Sequence, residues 1–314
     1  MKTHLRQPLE RFALTKSEIS ALRHLSKRAL TISELAATLG KSTSLASHIT
    51  RSLQGKGFVQ TQKKGMSTLA SIAQNNHAQA LIDLIKNEPD VPWEVGLTYS
   101  AMNLLFERFE HLHFNERSRS TRWRATRNLA AHGMLSDPSR IASSGRLAHF
   151  LDAYGDYVTR AFALEVLPSD AAIIWSRGYR FLFRVGRARK LPSRFLKTAI
   201  SALPSYGVQL VSEEEYYFYA KGIDSLSLED VIIHTLLVVP TSQTFATYAI
   251  IAILKNSHKV EFESLMQKAG EYGIQSYVGS IKRYIDSKGG HRPWPLPPWD
   301  ELKEQALDYG VVGL

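Results

Sequence analysis

In a helix opening near Ser42, the residues Ser44, Ser47, His48 and Arg51 are three and four apart and share one side, while Leu45, Ile49 and Leu53 are expected to turn inward. Hydroxyls, an imidazole and a guanidinium on a slim helical face are hydrogen-bond partners for base edges and phosphates in a groove ~12 Å wide. Bulky apolar groups on that face would spoil the fit. Lys63 and Lys64, just ahead of Gly65, would present two ammonium groups from a hairpin turn to a phosphate backbone. Five arginines fall within residues 116–127, too many for a core helix, and Arg119, Arg122, Arg124 and Arg127 are expected to project from it. Guanidinium reads guanine edges and binds phosphate bidentately. Trp123, in their midst, is expected to pack rather than stack on a base.

Groups for catalysis are not assembled in the sequence. It contains no G-x-S-x-G, P-loop, H-E-x-x-H or G-x-G-x-x-G run and no cysteine, which removes thiol nucleophiles and thiolate metal sites. His111 and His113 are two apart, which splays them on a helix, and no third ligand is evident. Glu213–Glu215 reads as a solvated run leading into a strand. The expectation is a protein with no enzymatic activity, no cofactor and no metal.

The elements that must hold the first cluster are legible. Ile19, Leu22 and Leu25 mark a first helix after Ser17. Thr31 and Glu34 form a capping-box pattern opening a second helix, which Gly40 ends, and the third begins near Ser42. Gly55 and Gly57 close it, and Phe58–Gln62, a turn at Lys63-Lys64-Gly65 and Met66–Leu69 read as a two-stranded wing. The segment TISELAATLGKSTSLASHITRSLQGKGFVQ resembles the winged helix-turn-helix of MarR- and ArsR-like regulators. That resemblance spans about 58 residues and implies duplex DNA as partner.

The pattern returns 76 residues on: Ile49-Thr50-Arg51-Ser52-Leu53 with Gly57-Phe58-Val59 is matched by Ala125-Thr126-Arg127-Asn128-Leu129 with Gly133-Met134-Leu135, and Ser42 and Ser44 fall on Ser118 and Ser120. Thr98–Phe109 supplies a first helix, whereas EHLHFNE is a poor middle one. Residues 74–92 read as a linker helix and a turn-rich junction. The expected domains are 1–73, a first winged helix-turn-helix; 93–166, a second, divergent one; and 167–314, an α/β body. Two such units on one duplex would be spaced near a helical turn, ~10 bp, or a multiple of it.

Charge follows the same division. Residues 1–70 carry twelve Lys and Arg against three Asp and Glu, while the last 114 residues are net −5 in a chain of +10. A basic head joined to an acidic body suits a polyanion partner at the front. The body is expected to hold strands at 171–175, 180–185, 208–211 and 216–220 in a small mixed sheet, then helices at 228–238, 242–255, 259–271 and 275–286. Trp294–Trp299 is expected to be a strap packed on it. Its arrangement resembles type IV antitoxins and archaeal winged-helix proteins with a nucleotidyltransferase-like tail. The Asp-x-Asp pair of that family's enzymes occurs nowhere in the chain, so nucleotide transfer is not expected.

The fold class expected is therefore mixed and mainly α: tandem winged helix-turn-helix units, then a small α/β domain with a helical bundle. The first 20 residues lack a signal-peptide apolar core, and no stretch reaches the ~20 apolar residues that span a bilayer, so a cytoplasmic location without membrane contact is expected. The function expected is a sequence-specific double-stranded-DNA-binding transcription regulator. Its body would bind a protein partner, a ligand or a second copy of the chain. The alternative is an antitoxin-like protein that binds a partner through the body and autoregulates through the head.

Overall fold

Thr15 opens the first helix, α1 (Lys16–Leu25), by accepting the Glu18 N–H, while the Glu18 carboxylate accepts the Thr15 N–H at 2.6 Å. The helix thus begins at Lys16, just before the Ser17 after which it was expected, with Thr15 as its cap. The same reciprocal cap joins Thr31 and Glu34 at the start of α2 (Ile32–Leu39), and Gly40 ends α2 in the left-handed region at φ 61°. Ser42 caps α3 (Thr43–Gly55) by accepting the Leu45 N–H. Strands β1 (Leu30–Thr31), β2 (Val59–Lys64) and β3 (Ser67–Ile72) form an antiparallel sheet in the order β1-β3-β2. Lys64 pairs with Ser67, so the hairpin turns at Gly65-Met66, and both lysines lie at the end of β2 rather than in the turn.

The structure is a computed structural model that describes residues 13–109, 118–137, 140–141, 145–186, 190–220, 223–238 and 242–314. His111, His113 and the EHLHFNE segment lie outside them. The architecture is mixed, dominated by helices with small antiparallel sheets. Two compact units are present, Met1–Phe162 with Arg177–Tyr179, and Ala163–Ser176 with Arg180–Leu314.

In the first unit α4 (Asn76–Asn87) follows the sheet. It is no exposed linker: His77, Ala78, Ala80, Leu81, Ile82, Leu84 and Ile85 are all buried. A short turn, α5 (Trp93–Gly96), leads to α6 (Tyr99–Phe109), α7 (Arg119–Ala131) and the hairpin β4 (Leu135–Asp137) and β5 (Arg140–Ile141), and α8 (Gly145–Val166) begins after it. One apolar core runs from Leu22 and Leu53 through Leu81 and Trp93 to Phe106, Leu129 and Tyr154. The segments before and after α4 therefore share a common interior, which α4 helps to build.

The second unit holds β6 (Ala172–Arg177), β7 (Arg180–Gly186), β8 (Leu196–Lys197) and β9 (Glu214–Ala220) in the order β6-β7-β9-β8. The pairs β7–β9 and β8–β9 are antiparallel, with Phe183 opposite Tyr217 and Leu196 opposite Phe218. These pairings correct the expected mixed sheet, and residues 208–211 are not a strand; β8 takes that role. Behind the sheet come α9 (Leu228–Val238), α10 (Gln243–Lys255), α11 (Phe262–Glu271), α12 (Gln275–Asp286) and α13 (Trp299–Asp308). His234 is fully buried among them, bonded through Nδ1 to Thr198 Oγ1 at 2.8 Å and through Nε2 to the Tyr272 hydroxyl at 3.0 Å. Burial holds its pKa down at about 3. Residues 295–297 are buried, and the Tyr284 hydroxyl donates to the Pro297 carbonyl at 2.8 Å, which seats the Pro-rich segment on the helices.

Candidate nucleic-acid interface

Helix α3 buries Ala46, Ile49, Thr50 and Leu53, a stripe that includes two small side chains and lets α3 lie close to its neighbours. The opposite side carries Ser44, His48 and Arg51, all exposed, with Ser47 half-buried beside them. No part of the described chain covers this side. Leu45, expected inward, is 41% exposed and joins the outer face. The packed stripe runs through Ala46 instead, one residue or 100° around the helix. It is an isolated leucine among small polar groups, a feature the sequence reading missed. The hydroxyl of Ser42 is engaged in the cap, and Lys63 and Lys64 stand exposed at the end of β2.

The inner end of α3 is fixed by a buried ion pair. Lys56 Nζ donates to both Glu18 carboxylate oxygens at 2.7 and 2.8 Å and to the Ala13 carbonyl at 2.6 Å, and the Ser52 hydroxyl donates to Glu18 at 2.6 Å. Burial alone would raise the Glu18 pKa. The bonds from Lys56, Ser52 and the Thr15 N–H outweigh it and hold the carboxyl below its ordinary value. The acid that caps α1 thus ties down the last turn of α3 and sets the angle at which the outer face is presented.

Helix α7 repeats α3 in detail. Both have 13 residues and an N-terminal serine cap, Ser42 in one and Ser118 in the other. Both end with a glycine of positive φ, Gly57 at 73° and Gly133 at 70°. The closing bonds match: Phe58 N–H to Leu53 carbonyl and Met134 N–H to Leu129 carbonyl, each 2.9 Å, and Gly57 to Gln54 and Gly133 to Ala130, each 3.0 Å. The Thr50 and Thr126 hydroxyls both donate to the carbonyl four residues back at 2.9 Å. Such agreement at a fixed offset of 76 residues extends the weak sequence match to the hydrogen-bond level.

The outer faces differ. Arg119, Arg124 and Arg127 are exposed, but Arg122, expected among them, turns inward and bonds the buried Glu107 of α6 at 2.9 Å. A buried carboxylate needs a cationic partner, and Arg122 occupies the position of Ala46 in α3, which faces the core. Trp123, expected to pack, is 60% exposed, with the Arg127 guanidinium 5.4 Å from its ring centroid. Beside α7 a groove of about 410 Å³ is lined by Lys16, Thr98, Ser100, Thr121, Arg124 and Asn128. Among the described residues no group of His, Asp and Glu is placed to hold a metal ion, and no helix is long and apolar enough to cross a membrane.

Comparison with known proteins touches only the second unit. A family model described as HVO_2833_C, C-terminal, matches residues 192–311, which run from β8 through α13. None of the curated proteins matches the chain, and none of the solved structures does.

Proposed function

We propose that the first unit is a pair of winged helix-turn-helix modules and that the protein is a sequence-specific duplex-DNA-binding transcription regulator of the cytoplasm. The observation that carries this reading is the uncovered outer face of α3, where small hydroxyls, one imidazole and one guanidinium surround a lone leucine. A helix with so slim a face enters the major groove, and Ser44, Ser47, His48 and Arg51 reach base edges there. Leu45 contacts a thymine methyl. Lys63 and Lys64 sit on the backbone beside the groove and add affinity without sequence information, and Lys16 and Arg124 flank a second place for phosphate. Residues 1–70, with twelve basic groups against three acidic, supply the attractive field. The second unit serves in self-association or partner binding.

Binding of the full chain to genomic duplex fragments, measured over a series of salt concentrations, tests this. Replacing Lys63 and Lys64 by Ala is expected to lower the log–log salt slope by about 1–2 while leaving the preferred fragment unchanged. Arg51→Ala is expected to weaken the preference among fragments by relaxing it at one position of the site. A chain that binds no duplex at low salt, or two variants that behave as wild type, overturns the proposal.

A further inference from the structure

The offset of 76 residues sets Trp123 of α7 against Ser47 of α3, Arg127 against Arg51, Arg124 against His48 and Arg119 against Thr43. Where α3 presents one of the smallest side chains, α7 presents the largest. The slimness that fits α3 to an intact groove is absent from α7, so the two repeats do not do the same thing. The Trp123 indole is exposed over more than half its surface. Arg127 lies over the ring, and Arg119, one helical turn before Trp123, and Arg124, the residue after it, are exposed on the same helix. Among the described residues no acidic side chain lies within ion-pair distance of these three arginines, and α7 contains no acidic residue at all. An aromatic ring set in a field of free guanidinium groups is the chemistry that holds unpaired nucleotides: the ring stacks on the base and the cations hold the flanking phosphates.

We infer that α7 is a stacking site for an unpaired base of DNA, with Trp123 as the platform and Arg119, Arg124 and Arg127 as its phosphate clamps. The inference rests on the proposal that the first unit binds DNA. It gives the second repeat a task of its own: α3 reads paired sequence, and α7 engages a base displaced from the stack.

The test uses the full chain with three labelled probes: an oligothymidine single strand, a fully paired duplex, and the same duplex with a central unpaired bulge. Wild type is expected to bind the bulged duplex about ten-fold more tightly than the paired one and to show quenched indole emission with the bulged and single-stranded probes. Trp123→Ala should remove both the preference and the quenching while leaving paired-duplex affinity unchanged. Trp123→Phe, which keeps a smaller ring, should retain part of the preference. Because residue 123 is exposed, the variants are expected to fold as wild type, which unchanged circular dichroism checks. If Trp123→Ala binds all three probes as wild type, or weakens the paired duplex as much as the bulged one, the inference is overturned while the duplex-binding proposal stands. If wild type binds the single strand through Trp123 but no duplex, the reverse holds.

Discussion

Two buried ionisable residues tie the stability of the first unit to pH. His77 of α4 is 2% exposed, donates from Nε2 to the Lys56 carbonyl at 3.2 Å, and is packed against Phe58, Tyr154 and Tyr157 with ring centroids 4.9, 5.5 and 4.1 Å away. Burial lowers its pKa from 6.5 to about 4, against the opposing bond to Lys56. The unfolded chain therefore takes up a proton between those values that the folded chain refuses, so stability is full above pH 6.5 and declines as pH falls toward 4. The expected loss is about 2–3 kcal/mol. Below that window the Glu18 carboxyl, held below its ordinary 4.5, adds a further loss as it is protonated and releases Lys56. Urea unfolding at a series of pH values checks this: His77→Phe should lose less stability than wild type between pH 6.5 and 4, the buried His234 contributing to that window in both, and should keep the lower segment. A His77→Phe profile that parallels wild type throughout would show that another group governs that window.

At the level of elements, the positive-φ glycines that end α3 and α7 sit in different surroundings. A β-carbon on Gly57 would lie 2.9 Å from both His77 Cε1 and Tyr157 Cζ, while one on Gly133 meets nothing within 4 Å. Gly133→Ala is thus expected to cost only the left-handed backbone penalty, about 1–2 kcal/mol. Gly57→Ala adds a clash with two packed rings and is expected to cost about 2–4 kcal/mol in all. Thermal denaturation of the two variants ranks them, and equal losses would contradict the packing described around Gly57. These glycines, the Thr31–Glu34 cap and the helices at 228–238 and 275–286 were legible because they are local signals: a cap, a period, a breaker. What was misread was decided by tertiary contact. Leu45 and Ala46 lie one residue apart, and either fits an apolar stripe through Ile49 and Leu53, but only packing selects Ala46. Trp123 looked like a core residue by size, yet α7 buries only Ala125 and Leu129. The two-residue strand β8 has no period to detect, and the apolar Val208 is buried without being in a strand.

For the whole molecule, one compact unit runs to Phe162, and the segments before and after α4 share a single interior within it. A helical patch over Ala78–Ile85 was visible in the sequence; that its apolar side fills the space on either side of α4 was not, because linker and core helices share their composition. The acidic balance lies in the last 114 residues and the basic excess in the head, so association with DNA should begin at the first unit and weaken steeply with salt. The central claim is that the outer face of α3 reads base sequence. The most direct measurement is selection of binding sites by the full chain from a pool of randomised duplexes, repeated with Arg51→Ala and His48→Ala. The account predicts a single enriched motif for wild type and loss of preference at a defined position of it in each variant, with residual salt-dependent binding retained. An unenriched pool, or the same motif recovered unchanged by both variants, would contradict it.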